Sequence, residues 1–356
     1  MTFDYEIFSK ILIMILLPFI FVVSIIPYIK KVAKKIGAVD VPRGRHIHKV
    51  TTPKLGGLAI FLGFLLGYMV FGTSSSLMNA VLIGSFIIIL TGVVDDITEL
   101  GPFTKFIGQF VAACVIVFYG GILIKDITAF GLYMNFSYLS YPITLFFILG
   151  CINCVNFIDG LDGLSGGISS IYFLTIGIIA TMQGRFGLDF VLSFVMLGAT
   201  LGFLVHNFHP ASIFAGDSGS MFMGFIISII ALLGFKNVTM TSLIIPLLIL
   251  AIPILDTVFA ILRRILIGEN PAKGDRLHIH HQLLNRNLSQ GKTVIIILFI
   301  DALFAFASII YILKNAKLGY VVYGILIVIV LVFILKTNVV FDHDLIRKKY
   351  KNFKRK

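Results

Sequence analysis

Tryptophan is absent from this 356-residue chain, cysteine occurs only 3 times, and 17 acidic side chains face 29 basic ones. Charged residues make up 13% of the chain, where a soluble domain carries about 25%. With 58% hydrophobic residues, that scarcity excludes a soluble globular protein and leaves a polytopic membrane protein. The missing Trp leaves tyrosine alone to supply an aromatic belt at the membrane surface. Of the cysteines, Cys114 lies in an apolar run, and Cys151 and Cys154 form C-x-x-C at a helix end. No thioredoxin-like context surrounds that pair, so it is read as helix packing. The first apolar run, from Phe8 to Tyr28, lacks a basic leader and a small-x-small cleavage site, which predicts a retained span. Internal repeats, low-complexity tracts and domain-sized linkers are also lacking, which predicts one domain over 1–356 with a basic tail at 337–356.

Apolar runs are abundant. At about 20 residues per crossing, eleven segments qualify: 8–29, 55–72, 77–94, 104–121, 139–155, 164–182, 188–206, 218–235, 242–262, 293–313 and 318–335. The expected fold is an all-α polytopic integral membrane protein with about eleven transmembrane helices. Lys and Arg divide unevenly between the two sets of loops, 23 against 6, and the richer side is cytoplasmic by the positive-inside rule. The N-terminus is then outside and the C-terminus cytoplasmic. The net charge of +12 lies mostly beside spans, which points to anionic lipid and anionic substrate as partners and not to nucleic acid.

The loops after spans one, three, five, seven and nine carry the polar motifs. In order they hold R-G-R-H-I-H-K-V-T-T-P-K-L-G-G, D-D-I-T-E, N-F-I-D-G-L-D-G-L, N-F-H-P-A-S-I-F-A-G-D-S-G-S and D-R-L-H-I-H-H. All five fall on the cytoplasmic side of this count, whereas the opposite loops are short or bland. That segregation predicts one composite site on the inner face.

Asp95 and Asp96 end span three, where a helix C-terminus is already negative. Two carboxylates there repel each other unless a cation joins them. Lys105 is one candidate and a divalent metal held by oxygen ligands the stronger one, although a solvated helix end is the plain alternative. Asp217, in A-G-D-S-G-S, sits where span eight begins. It reads as a helix N-cap assisted by Ser218 or Ser220, and equally as part of a metal or anion site at that N-terminus. His278, His280 and His281 share a basic loop with Arg263, Arg264 and Arg276. Their spacing is not that of a zinc site, and a diphosphate suits them better; a solvated basic loop is the bland reading. His46, His48, Lys49 and Lys54 precede span two and read most simply as headgroup contacts. Asp256 and Asp301 lie inside spans nine and ten, where an acid marks either function or a hydrogen bond between helices.

Taken together, these motifs resemble the polyprenyl-phosphate N-acetylhexosamine-1-phosphate transferases, the superfamily of MraY, WecA and TagO, from His46 to Leu284. N-F-I-D-G-L-D-G-L and P-A-x-x-F-x-G-D-S-G-S are its most specific stretches, and H-I-H-H resembles the WecA and TagO branch, as do eleven spans. The resemblance implies transfer of N-acetylglucosamine 1-phosphate from UDP-N-acetylglucosamine to undecaprenyl phosphate, with release of UMP, in a bacterial cytoplasmic membrane. It implies Mg²⁺ (Mn²⁺ as the alternative ion) at Asp217, Asp95 and Asp96, with Asp95 preparing the lipid phosphate. It further implies a nucleotide pocket of Asp159, Gly160, Leu161, Asp162, Asn207 and Phe214. Arg276, His278, His280, His281 and Lys105 would bind phosphates or sugar, with His281 in a catalytic role; the oligomeric state is left open, a homodimer among the options. Glu99 stands where the family often has Asp, and Ala215 where it has Met. The alternatives are a muramoyl-pentapeptide or other N-acetylhexosamine donor, a UbiA-type prenyltransferase and a transporter. The last would place its polar groups near the midplane.

Overall fold

The computed structural model describes residues 5–41, 51–129, 132–235, 249–267, 279–284, 286–313 and 316–335. The chain divides into two compact units, Met1–Leu247 and Leu248–Lys356. The first runs α1 (Tyr5–Ile36), β1 (Val39–Asp40), β2 (Thr52–Pro53), α2 (Gly56–Phe71), α3 (Ser76–Thr98) and α4 (Pro102–Cys114). After α4 come a π-helical turn at Val115–Tyr119, β3 (Asp126–Ala129), β4 (Leu132–Asn135), α5 (Ser140–Ile158), α6 (Leu164–Met182), α7 (Leu188–Asn207) and α8 (Gly216–Phe235). The second unit holds α9 (Ala251–Ile267), α10 (Ile279–Leu284), α11 (Gln290–Ile312) and α12 (Ala316–Leu335).

Each of the eleven apolar segments overlaps one of these helices, although 242–248 of the ninth lies outside the described residues. Among the described residues, eight helices are long and apolar enough to cross a membrane, and shorter apolar helices lie at Gly56–Phe71 and Leu318–Val332. The protein is therefore an all-α polytopic membrane protein. Two antiparallel hairpins depart from a purely helical reading. β1 pairs Val39 with Pro53, and β3 pairs Ile127 with Met134 and Thr128 with Tyr133, where β-branched and aromatic residues suit a pleated ribbon.

Helix α1 extends beyond the segment its hydrophobicity marks. Its 32 residues span about 48 Å at 1.5 Å per residue, against a hydrocarbon core of about 30 Å. The turns bearing Lys30, Lys31, Lys34 and Lys35 therefore project past the apolar layer. The centre of the unit is α6, α7 and α8, whose spans are mostly buried, while α1 and α4 expose broad apolar faces. Helices apolar all round belong inside such a bundle, where close packing replaces the hydrophobic force that water would supply.

Three helix ends are shaped by local sequence. Helix α3 stops at Glu99, which adopts a left-handed conformation (φ 51°) with its N–H on the Asp95 carbonyl at 2.9 Å. Gly101 then caps α4, and Pro102 occupies its first turn, where a missing N–H costs nothing. This short reversal returns Lys105 to the level of Asp95. At the start of α2, the N–H groups of Gly56 and Gly57 donate to the Phe214 and Ala215 carbonyls, each at 2.9 Å, and Phe214 N–H donates to Pro53 O at 2.8 Å. Helix N-terminal donors that would otherwise lack partners thus bind the loop leading into α8.

Candidate active site

Asp95, Asp96 and Asp217 each offer a carboxylate oxygen within 4.8 Å of the others. The last turn of α3 supplies the first two and the first turn of α8 the third. Asp95 and Asp96 are buried and Asp217 half-buried. Lys105 bridges two of them: its Nζ lies 2.7 Å from Asp95 Oδ2 and also donates to Asp217 Oδ2. The cation demanded by paired acids at a helix C-terminus is thus partly provided by the chain itself.

Asp96 has a different task. Its Oδ1 accepts the backbone N–H of Asp217 at 2.9 Å, and its Oδ2 accepts the N–H and hydroxyl of Ser218 at 3.2 and 2.7 Å. Asp217 stands inside the first turn of α8, and Asp96, arriving from α3, provides the carboxylate at that N-terminus. This is a favourable use of a negative group at a helix start. Gly216 makes it feasible. It has φ +70°, and a Cβ there would come within 2.5 Å of both Asp96 carboxylate oxygens and 2.4 Å from Lys54 O.

Asn156 Nδ2 donates to Asp217 Oδ1 at 3.3 Å and to Ser220 Oγ at 2.8 Å. One turn deeper, Asn153 donates to Gln109 Oε1 at 2.9 Å, and Gln109 Nε2 lies 3.2 Å from Met221 Sδ. Two polar layers therefore tie α4, α5 and α8 together directly under the carboxylates. Neither asparagine nor Gln109 was singled out from the sequence for a role, and Ser218 was named only as an aid to Asp217 at the helix start. The available signal was the spacing of Asn153 and Asn156, which places both on one helical face.

The nucleotide candidates form a second group. Asp159 hydrogen-bonds Ser165, and desolvation pushes its carboxyl up to about 7 despite that bond, with the Asp217 charge adding to the rise. Asn207 accepts the Gly163 N–H at 2.9 Å and donates to Ile213 O at 2.9 Å. Asp162 is 4% exposed, and its Oδ2 receives His209 Nδ1 at 2.8 Å and the Ala211 N–H at 3.1 Å. It thus stitches the α5–α6 turn to the loop before α8. His209, at that junction, is a residue the motif reading passed over. Gly160 is exposed, Leu161 buried and Phe214 half-buried.

The basic loop is only partly in view. Arg276 and His278 lie outside the described residues, as do His46, His48 and Lys49. The backbones of His280 and His281 belong to α10. Of the two intramembrane acids, Asp256 makes the hydrogen bond between helices that was one reading of it, and Asp301 makes none among the described residues. Asp256 Oδ1 accepts the N–H of Ile279, at the start of α10, at 2.7 Å. Asp301 is fully buried, and neither of its oxygens finds a hydrogen-bond partner among the described residues. Glu99 is exposed at the end of α3, and Ala215 is buried against the glycines of α2.

Residues 78–235 match the family model described as glycosyl transferase family 4, a stretch that includes every carboxylate of the cluster. The chain is 39% identical over 358 residues to the probable undecaprenyl-phosphate N-acetylglucosaminyl 1-phosphate transferase of Bacillus subtilis, covering 97% of this chain and 95% of that one. It is 33% identical to the decaprenyl-phosphate N-acetylglucosaminephosphotransferase of Mycolicibacterium smegmatis, covering 86% and 83%. Against the undecaprenyl-phosphate alpha-N-acetylglucosaminyl 1-phosphate transferase of Haemophilus influenzae it is 33% identical, covering 78% and 80%. By these similarities over most of its length, the chain belongs to glycosyl transferase family 4, among its polyprenyl-phosphate N-acetylglucosamine-1-phosphate transferases.

Proposed function

We propose that the protein transfers N-acetylglucosamine 1-phosphate from UDP-N-acetylglucosamine to undecaprenyl phosphate at the cytoplasmic face of a bacterial membrane. The observation that carries this reading is the Asp95, Asp96, Asp217 and Lys105 constellation, which gathers hard oxygen ligands and one cation where two anionic phosphates must meet. An oxygen-only set fits Mg²⁺, or Mn²⁺ in its place, and would hold it through Asp217 and Asp95. When bound, the ion neutralises phosphate charge and stabilises the departing UMP.

The chain's own residues supply the rest. An oxygen of the lipid phosphate attacks the β-phosphorus of the donor, the bond from that phosphorus to the bridging oxygen breaks, and UMP carries that oxygen away. Asp95, held by Lys105 and by the Leu100 N–H at 2.7 Å, is placed to accept a proton from the incoming phosphate. Asp96 steadies Asp217 through the N-terminus of α8. Direct attack is favoured over an aspartyl intermediate, because both Asp217 oxygens are already engaged, by Lys105 and Asn156, and such a carboxylate is a poor nucleophile. Asp159, Asp162, Asn207 and Phe214 are assigned to the uridine, and Arg276, His278, His280 and His281 to the sugar and phosphates. Eleven crossings, an outside N-terminus and a single functional domain complete the reading.

The test is metal removal from purified protein, with UMP release followed as Mg²⁺ or Mn²⁺ is restored. Release that stops on chelation and returns with either ion supports the assignment. Undiminished release in the chelator would remove the metal from it.

A further inference from the structure

A carboxylate inside an apolar helix is expensive, so one that is retained generally has a partner. Asp256 stands in the first half of α9 and is 2% exposed. Its Oδ1 accepts the Ile279 N–H at 2.7 Å, a charge-assisted bond to one of the N–H groups that a helix start leaves without an internal partner. The helix it receives, α10, reads I-H-H-Q-L-L and has 6 residues. So short a helix cannot hold itself, since nucleation alone is unfavourable. Its place depends on what pins it: Asp256 at the start, and the buried Gln282 and Leu283 further along. His280 and His281 follow Ile279 directly, so their backbone positions are set at the point that Asp256 grips.

We propose that Asp256 is a positioning residue that fixes the start of α10 and so places His280 and His281 for work on the donor's sugar phosphate. This rests on the assignment of those histidines given above, and the two can fail separately. The anchor is tested by hydrogen exchange of the peptide covering 279–284 in the full-length protein, comparing wild type with Asp256→Ala and Asp256→Asn. Asparagine keeps a carbonyl acceptor, so exchange is expected to quicken in the alanine variant and to stay near wild type in the asparagine variant. Unchanged exchange in Asp256→Ala would overturn the anchor.

The functional consequence is tested by kinetics with UDP-N-acetylglucosamine in a cycle with His281→Ala. Loss of one charge-assisted hydrogen bond corresponds to an effect of about tenfold or more on kcat/KM. Asp256→Ala is expected to show it, Asp256→Asn to recover most of it, and the double variant to be no worse than the poorer single. Additive losses, or no rescue by asparagine, would mean a general structural role and would overturn the proposal. Quickened exchange with unaltered kinetics in both Asp256→Ala and His281→Ala would leave the anchor in place and sink the histidine assignment.

Discussion

Lys105 lies between Asp95 and Asp217, and removing its charge turns a balanced triad into two facing carboxylates. Lys105→Met is therefore expected to lower turnover by about 10²-fold, on the scale of losing one preorganised electrostatic contact. Mg²⁺ should then raise the variant's melting temperature more than the wild type's, because the ion relieves a repulsion the wild type lacks. Asp217→Asn and Asp95→Asn are each expected to lose about 10²- to 10³-fold in rate while remaining folded; near-normal turnover in either would remove that residue from the mechanism. Asp159 gives a pH dependence. Its folded carboxyl titrates near 7 against an unfolded value near 3.8, so between those values the folded state holds a proton that the unfolded state has released. Its contribution to stability is present in full below about 4, falls as pH rises, and is gone above about 7. Melting curves of wild type and Asp159→Asn should accordingly diverge between pH 5 and pH 7.5, with the wild type losing ground. A constant difference would show that Asp159 does not titrate there.

At the scale of elements, the site depends on how closely α3 and α8 approach. A Cβ on Gly92 would stand 2.3 Å from Ser218 Cα and 2.5 Å from Ser218 N, so nothing larger than glycine fits without moving the N-terminus of α8. Gly92→Ala is expected to cut activity more than it cuts membrane insertion, since it displaces Asp217 from Asp96 while leaving the apolar faces intact. Activity equal to wild type would mean that α8 tolerates the shift. These elements were largely legible in the sequence, because long apolar runs and Pro, Gly and Asp punctuation mark helix ends. The acids were legible as well, since any charge in such a chain stands out. The division of labour among them was not. Asp95 and Asp96 are neighbours in sequence, yet one binds Lys105 and the other α8, a difference set by which way each points from a turning helix. Asn156 and His209 act through partners 61 and 47 residues away, and no local pattern announces such pairs.

For the molecule as a whole, the membrane reading follows from composition, whereas the side on which the site opens follows only from counting basic residues. Ser212 is exposed in the loop before α8 and offers a place to test it. With Cys114, Cys151 and Cys154 replaced, Ser212→Cys should react with an impermeant thiol reagent only from the cytoplasmic side. Labelling from outside would invert the topology and separate the site from its nucleotide donor. The central claim is narrower: the group that moves is a sugar phosphate and not a bare sugar. Its most direct test uses UDP-N-acetylglucosamine carrying radioactive phosphorus in the β-phosphate, with undecaprenyl phosphate and the purified protein. Label recovered in the lipid, with unlabelled UMP released, is the expected result. Label retained in released UDP, with sugar alone on the lipid, would contradict the account.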